Sequence, residues 1–186
     1  MSNVTYDQRR SELETYFDRT AVKAWERLTS TAPVGRIRAT VRAGRDEMRA
    51  TLLGMLPEDL SGSRLFDAGC GTGALAVEAA RRGADVLAMD ISPTLIGIAA
   101  ERLPATLGTG RITFRAGDML APGAGPFDHV VAMDSLIHYP AAEIVRVLSA
   151  FTALGPRSIV FTVAPRTALL TAMHRVGKLF PRGDRS

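Results

Sequence analysis

Cysteine is almost missing: Cys70 stands alone among 186 residues, so the chain cannot close an internal disulfide or supply the thiolates of a zinc cluster. Histidine is nearly as scarce, with three in all, and none falls in a metal-ligand spacing. No stretch approaches the roughly 18 apolar residues that a membrane-crossing helix needs. Residues 1–10 are polar and charged, with no apolar signal core. A strong charge excess is lacking too, because 23 Lys+Arg against 19 Asp+Glu leave only +4, a mild lean toward anionic partners. These absences argue against a secreted disulfide scaffold, a zinc module and a membrane-spanning protein. The expectation is a cytoplasmic protein.

What is present is apolar material, 46% of the chain, enough for one domain with a sizeable core. Its pattern changes near residue 60. The first sixty residues read as helical: an irregular amphipathic arm over 11–28, a break at Pro33 and Gly35, then a helix over 36–56. In that helix Ile37, Val41, Met48, Leu52 and Met55 recur at three- and four-residue spacings, with Gly44 on the same face where close packing can use it. Beyond them, short apolar strands (64–67, 85–89, 112–116, 129–133, 158–164) alternate with helices (74–82, 93–102, 141–153). That alternation predicts a parallel sheet in an α/β, three-layer Rossmann-like fold. We therefore expect a helical arm or cap over 1–60 and a ligand-binding domain over 61–186. Leu169, Leu170, Met173, Val176, Leu179 and Phe180 suggest one more amphipathic helix.

The chemistry starts at Asp67-Ala68-Gly69-Cys70-Gly71-Thr72-Gly73, directly after a strand and before a helix. Glycines there let the backbone turn sharply and approach a ligand closely. Gly69, Gly71 and Ala74 also fit the dinucleotide fingerprint, so the glycines alone leave two readings. Three acids favour S-adenosylmethionine. Asp67 can pair with its amino-acid part, whereas in a dinucleotide site it would repel pyrophosphate. Asp90, at the end of the next strand, can accept both ribose hydroxyls. Asp118, in Gly117-Asp118-Met119, can take the adenine amino group, with Met119 against the ring. Ala68, Ile91, Met133 and Asp134 complete the candidate cofactor set, and a nicotinamide oxidoreductase is the alternative.

Met133-Asp134-Ser135-Leu136-Ile137-His138-Tyr139-Pro140 follows the fourth strand, where an acceptor should meet the methyl group. It lacks the Pro-Pro-aromatic run of enzymes that methylate amino groups of nucleic acids. Cys70, inside the glycine turn, is misplaced for attack on a pyrimidine. Nucleic acid is therefore not the expected partner. His138 is either a loop histidine or a hydrogen-bond donor to the acceptor. Arg38, Arg42, Arg45 and Arg49 form a stripe on the 36–56 helix: either a solvated face or a site for substrate carboxylates, to which guanidinium is geometrically suited.

The run Tyr16-Phe17-Asp18-Arg19-Thr20, then Trp25, then residues 37–45, the glycine motif and Leu136-Ile137-His138-Tyr139-Pro140 together resemble the magnesium-protoporphyrin IX methyltransferases, most like their purple-bacterial branch. The resemblance covers nearly the whole chain. It implies a class I methyltransferase fold that uses S-adenosylmethionine and yields S-adenosylhomocysteine (SAH). It further implies esterification of one propionate of magnesium protoporphyrin IX, on the route to bacteriochlorophyll, the alternatives being O-methylation of another small molecule or cofactor binding without turnover. His138 would then aim the carboxylate, with Tyr16, Trp25, Arg38, Arg42, Arg45 and Tyr139 as substrate contacts. Tyr16, Phe17 and Trp25 read either as a lid or as ordinary helix packing. The family also implies cooperation with the magnesium chelatase large subunit and a peripheral position at the photosynthetic membrane. Two departures stand out. Thr29 occupies a place near which cyanobacterial and plant relatives carry tyrosine, so no tyrosine role carries over. The family's sheet continues past the fifth strand, so the expectation here is a shortened form without strands 6 and 7, whose fifth strand would be an open edge unless the last helix covers it.

Overall fold

The computed structural model describes residues 5–21, 36–123 and 125–163, and at 19–21 and 36–38 the backbone alone. Trp25, Thr29, the Arg38 side chain and the helix expected over 169–180 lie outside the described residues.

Among the described residues five strands, β1 (Arg64–Ala68), β2 (Asp85–Asp90), β3 (Arg111–Ala116), β4 (His129–Ala132) and β5 (Ser158–Phe161), form one sheet in the order β3-β2-β1-β4-β5. Every pairing is parallel. The chain winds outward from β1 to β3, then returns to place β4 against β1. This reversal opens a crevice at the carboxyl ends of the strands, where ligands bind in open α/β sheets.

Strand periodicity splits the core in two. Leu65, Val86, Ala88 and Val131 point to one face, where they meet α2 (Arg36–Gly54) and α3 (Ala74–Arg81) through Leu52, Leu53, Leu75 and Ala79. Phe66, Leu87, Met89 and Val130 point to the other, against α1 (Tyr6–Thr15) and α5 (Ala141–Ala153) through Tyr6, Leu13, Val147 and Phe151. Each fully buried large side chain contributes about 1.5–3 kcal/mol. A fourth helix, α4 (Pro93–Glu101), starts at a Ser92 cap with proline in its first turn and packs on β2 and β3.

Three expectations change. The first helix begins at Tyr6, not near residue 11, because Thr5 and Gln8 form a reciprocal capping box; a π-helical turn (Tyr16–Ala21) follows it. On α2 the buried face runs through Leu52 and Leu53 and continues to Leu56, while Met55 and Val41 are exposed. Among the described residues nothing lies within 4 Å of a Cβ built on Gly44, so their packing does not depend on that glycine. Arg82 fixes the end of α2 by donating to the Leu53 carbonyl at 2.7 Å.

Candidate active site

After β1 the chain enters the glycine turn with φ +86° at Gly69 and +55° at Gly71, left-handed values that glycine adopts without steric cost. The N–H groups of Gly69 and Cys70 both donate to the Met89 carbonyl, at 2.8 and 2.9 Å, so the turn is stitched to the end of β2. A Cβ on Gly69 would stand 2.3 Å from that of Ser135: the turn after β1 touches the loop after β4.

The three acids sit at successive strand ends in sheet order. Asp67 is buried, and its Oδ2 has no hydrogen-bond partner among the described residues. Burial, then the nearby Asp90 charge, lifts its carboxyl to about 7, against a backbone hydrogen bond from Ala76. Asp90 accepts from Gly71 N–H at 2.8 Å and Ser92 N–H at 3.0 Å; burial still raises its pKa, with those bonds opposing. Asp118 behaves oppositely. Burial pushes its pKa up, but hydrogen bonds from Tyr6 Oη (2.5 Å), Leu120 N–H (2.9 Å) and Arg10 Nη1 (2.8 Å) outweigh that and hold it below the usual carboxylate range.

Helix α1 supplies one side of the site. Besides the two bonds to Asp118, Arg9 Nε donates to the His138 carbonyl at 2.8 Å, and the Tyr6 ring stacks on Tyr139 at 5.1 Å. Just beyond it Phe17 meets the His138 ring edge-on at 5.5 Å, and Asp18 accepts from Ser92 Oγ at 2.5 Å. Helix α2 brings the arginines. Arg45 is ion-paired to Asp134, and Arg49 to Asp46 at 2.9 Å. Asp134 has φ +56°, a conformation that aspartate tolerates better than most residues, and its N–H donates to Thr162 Oγ1 at 2.7 Å. His138 is pulled below the ordinary histidine value by burial and then by Arg9, with Asp134 opposing, which favours the neutral imidazole.

These groups enclose a cavity of about 530 Å³. Its wall includes Asp67, Gly69, Gly71, Asp90, Ile91, Gly117, Asp118, Met119, Met133 and Asp134, together with Arg42, Arg45, His138 and Tyr139. Two candidate residues lie elsewhere. Ala68 is fully buried in the core on the α5 side of the sheet and is not on the cavity wall. Tyr16 is half-exposed and meets Phe17 edge-on, and it is Phe17 that stands on the wall. Sequence reasoning passed over Tyr6, Arg10 and Ser135. The capping box announces the helix that carries Tyr6 and Arg10 four residues apart, but nothing local shows that this face meets Asp118, and nothing local marks Ser135.

The wall fits a cation with a polar tail. Asp67 and Asp90 are like charges in one buried place, and the unpartnered Asp67 oxygen needs a donor. S-adenosylmethionine brings an ammonium and a sulfonium, whereas a pyrophosphate would meet two carboxylates. Fold and site together define a class I S-adenosylmethionine-dependent methyltransferase, and residues 65–154 match the methyltransferase domain family. Residues 132–186 match the magnesium-protoporphyrin IX methyltransferase C-terminus, and the chain is 58% identical to the magnesium-protoporphyrin O-methyltransferase of Rhodobacter capsulatus over 97% of its own length and 81% of that protein's. It belongs to the magnesium-protoporphyrin O-methyltransferase family. The Synechocystis enzyme of the same name is 32% identical over 97% of this chain and 79% of its own. The crystal structure of Synechocystis magnesium protoporphyrin IX methyltransferase with bound SAH superposes with a TM-score of 0.77 at 30% identity, covering 93% of this chain and 80% of that one.

Proposed function

We propose that this chain transfers the methyl group of S-adenosylmethionine to one propionate carboxylate of magnesium protoporphyrin IX, giving the monomethyl ester. The observation that carries the reading is one cavity whose wall holds Asp67, Asp90 and Asp118 together with Arg42, Arg45 and His138. When bound, the cofactor supplies a methyl on a positively charged sulfur. A carboxylate oxygen forms the new bond to carbon, the carbon–sulfur bond breaks and its electron pair stays on sulfur. No proton has to move, because a propionic acid ionises near the value of glutamate, roughly 4 to 5. The residues must therefore orient the carboxylate and exclude water, effects that together reach on the order of 7–11 kcal/mol in well-aligned reactions.

Asp67, Asp90 and Asp118 would hold the amino-acid part, the ribose and the adenine of the cofactor. A neutral His138 orients the carboxylate through a hydrogen bond that leaves the attacking oxygen nucleophilic, whereas a paired guanidinium would drain its charge. Arg42 and Arg45 suit the second propionate, and Tyr139 and Phe17 the macrocycle. Residues 1–60 act as a cap that supplies α1 and α2 to the site of the 61–186 domain. This cap is not detachable, since Leu52, Leu53 and Leu56 are buried in the main core. Among the described residues no helix is long and apolar enough to cross a membrane. Cooperation with the chelatase large subunit and a peripheral place at the photosynthetic membrane rest on the family resemblance.

Labelled S-adenosylmethionine with magnesium protoporphyrin IX should give a labelled, base-labile ester; no label in the porphyrin ends the proposal. His138→Ala should lower kcat roughly 10²-fold, the cost of a misaimed nucleophile, with SAH affinity nearly unchanged by calorimetry.

A further inference from the structure

Among the described residues, the buried polar atoms without a hydrogen-bond partner include Asp67 Oδ2 and Ser135 Oγ, and both residues stand on the cavity wall. Ser135 directly precedes the short 3-10 turn Leu136–His138, where a serine hydroxyl ordinarily caps the backbone, yet it makes no capping hydrogen bond. Its place is set from both sides. The left-handed Asp134 turns the chain just before it. On the other side its Oγ lies 3.1 Å from where a Gly69 Cβ would stand, two residues beyond Asp67.

Sheet order says which part of a ligand these atoms would meet. Asp118 follows β3, Asp90 ends β2, Asp67 lies in β1 and Ser135 follows β4, four neighbouring strands in that sequence. A ligand with its adenine at Asp118 and ribose at Asp90 has its amino-acid end at Asp67 and Ser135. We propose that the Ser135 hydroxyl is a further cofactor-binding group, specific for that α-amino carboxylate. A hydroxyl carries one donor and two acceptor lone pairs, so it can accept from the ammonium and donate to the carboxylate, while Asp67 accepts from the ammonium alone. The inference rests on the cofactor assignment and deepens it.

Calorimetric titration of the full chain with SAH and with 5′-methylthioadenosine separates the contributions, since the second ligand keeps adenine, ribose and sulfur but has no amino-acid chain. Ser135→Ala should weaken SAH about tenfold, the effect of one hydrogen bond to a charged group, and leave 5′-methylthioadenosine within about twofold. An unchanged SAH affinity, or equal losses for both ligands, overturns the proposal. Ser135→Cys, which keeps the volume beside Gly69 but hydrogen-bonds weakly, gives the same comparison if the alanine variant melts early. A wild-type chain that binds 5′-methylthioadenosine and SAH equally also overturns it, whereas one that binds neither removes the cofactor assignment itself.

Discussion

Gly69 answers to two constraints. Its φ of +86° is left-handed, and a Cβ there would collide with Ser135 Cβ at 2.3 Å. The first costs a non-glycine residue about 1–3 kcal/mol. The second is a collision with a side chain that can itself be removed. Gly69→Ala should therefore destabilise the fold beyond the backbone cost and weaken cofactor binding. Adding Ser135→Gly should restore the steric part and leave the backbone part. Denaturant unfolding of the two single variants and the double one checks this: the double variant should be more stable than the sum of the single losses, and strict additivity would contradict the contact.

At the scale of elements, α1 is the piece whose docking governs the site. Its hydrogen bonds converge on Asp118 from Tyr6 and Arg10, residues 112 and 108 positions away in the chain. Tyr6→Phe keeps the ring on Tyr139 and removes the bond to a carboxylate, a loss of about 1.5–3 kcal/mol; Leu13→Ala removes buried volume, roughly 2–5 kcal/mol. Native-state hydrogen exchange should show faster exchange of α1 amides in both variants, with β1 and β4 amides unaltered. Parallel acceleration throughout the chain would mean that α1 is no separate docking unit. The same helix shows how far the sequence could be read. The α5 helix occupies 141–153 as its periodicity predicts, and the buried strands fall within a few residues of their apolar runs, because both signals are local. Helix α1 buries only Tyr6 and Leu13, too few apolar positions to display a period, and its start was visible only in the Thr5–Gln8 capping box. The glycine turn and the acids were legible for the same reason of locality. The role of Tyr6 on Asp118 and the contact of Ser135 with Gly69 were not, since the first depends on where α1 docks and the second on which strands become neighbours.

The molecule as a whole buries two carboxyl groups at its switch point, which links folding, pH and ligand. Burial, with Asp90 beside it, raises Asp67 to about 7, and Asp90 is raised in the same sense. In the unfolded chain an aspartate titrates near 3.9. Between those values the folded chain holds a proton that the unfolded chain has released. Stability is accordingly greatest below about pH 4 as far as Asp67 is concerned, falls as pH rises toward 7 and levels off above, by on the order of 4 kcal/mol in all. A cationic ligand reverses the preference, because the ammonium pairs with the ionised carboxylate. SAH should therefore bind more tightly as pH rises through 7 and should expel a proton. Its thermal stabilisation should be larger at pH 7.5 than at pH 5.5. Melting curves at both pH values, with and without SAH, test the linkage for the wild type and Asp67→Asn. The asparagine variant should show a flatter pH dependence without ligand and a smaller SAH-induced shift. Equal slopes in the two proteins would mean that the titrating group lies elsewhere in the fold.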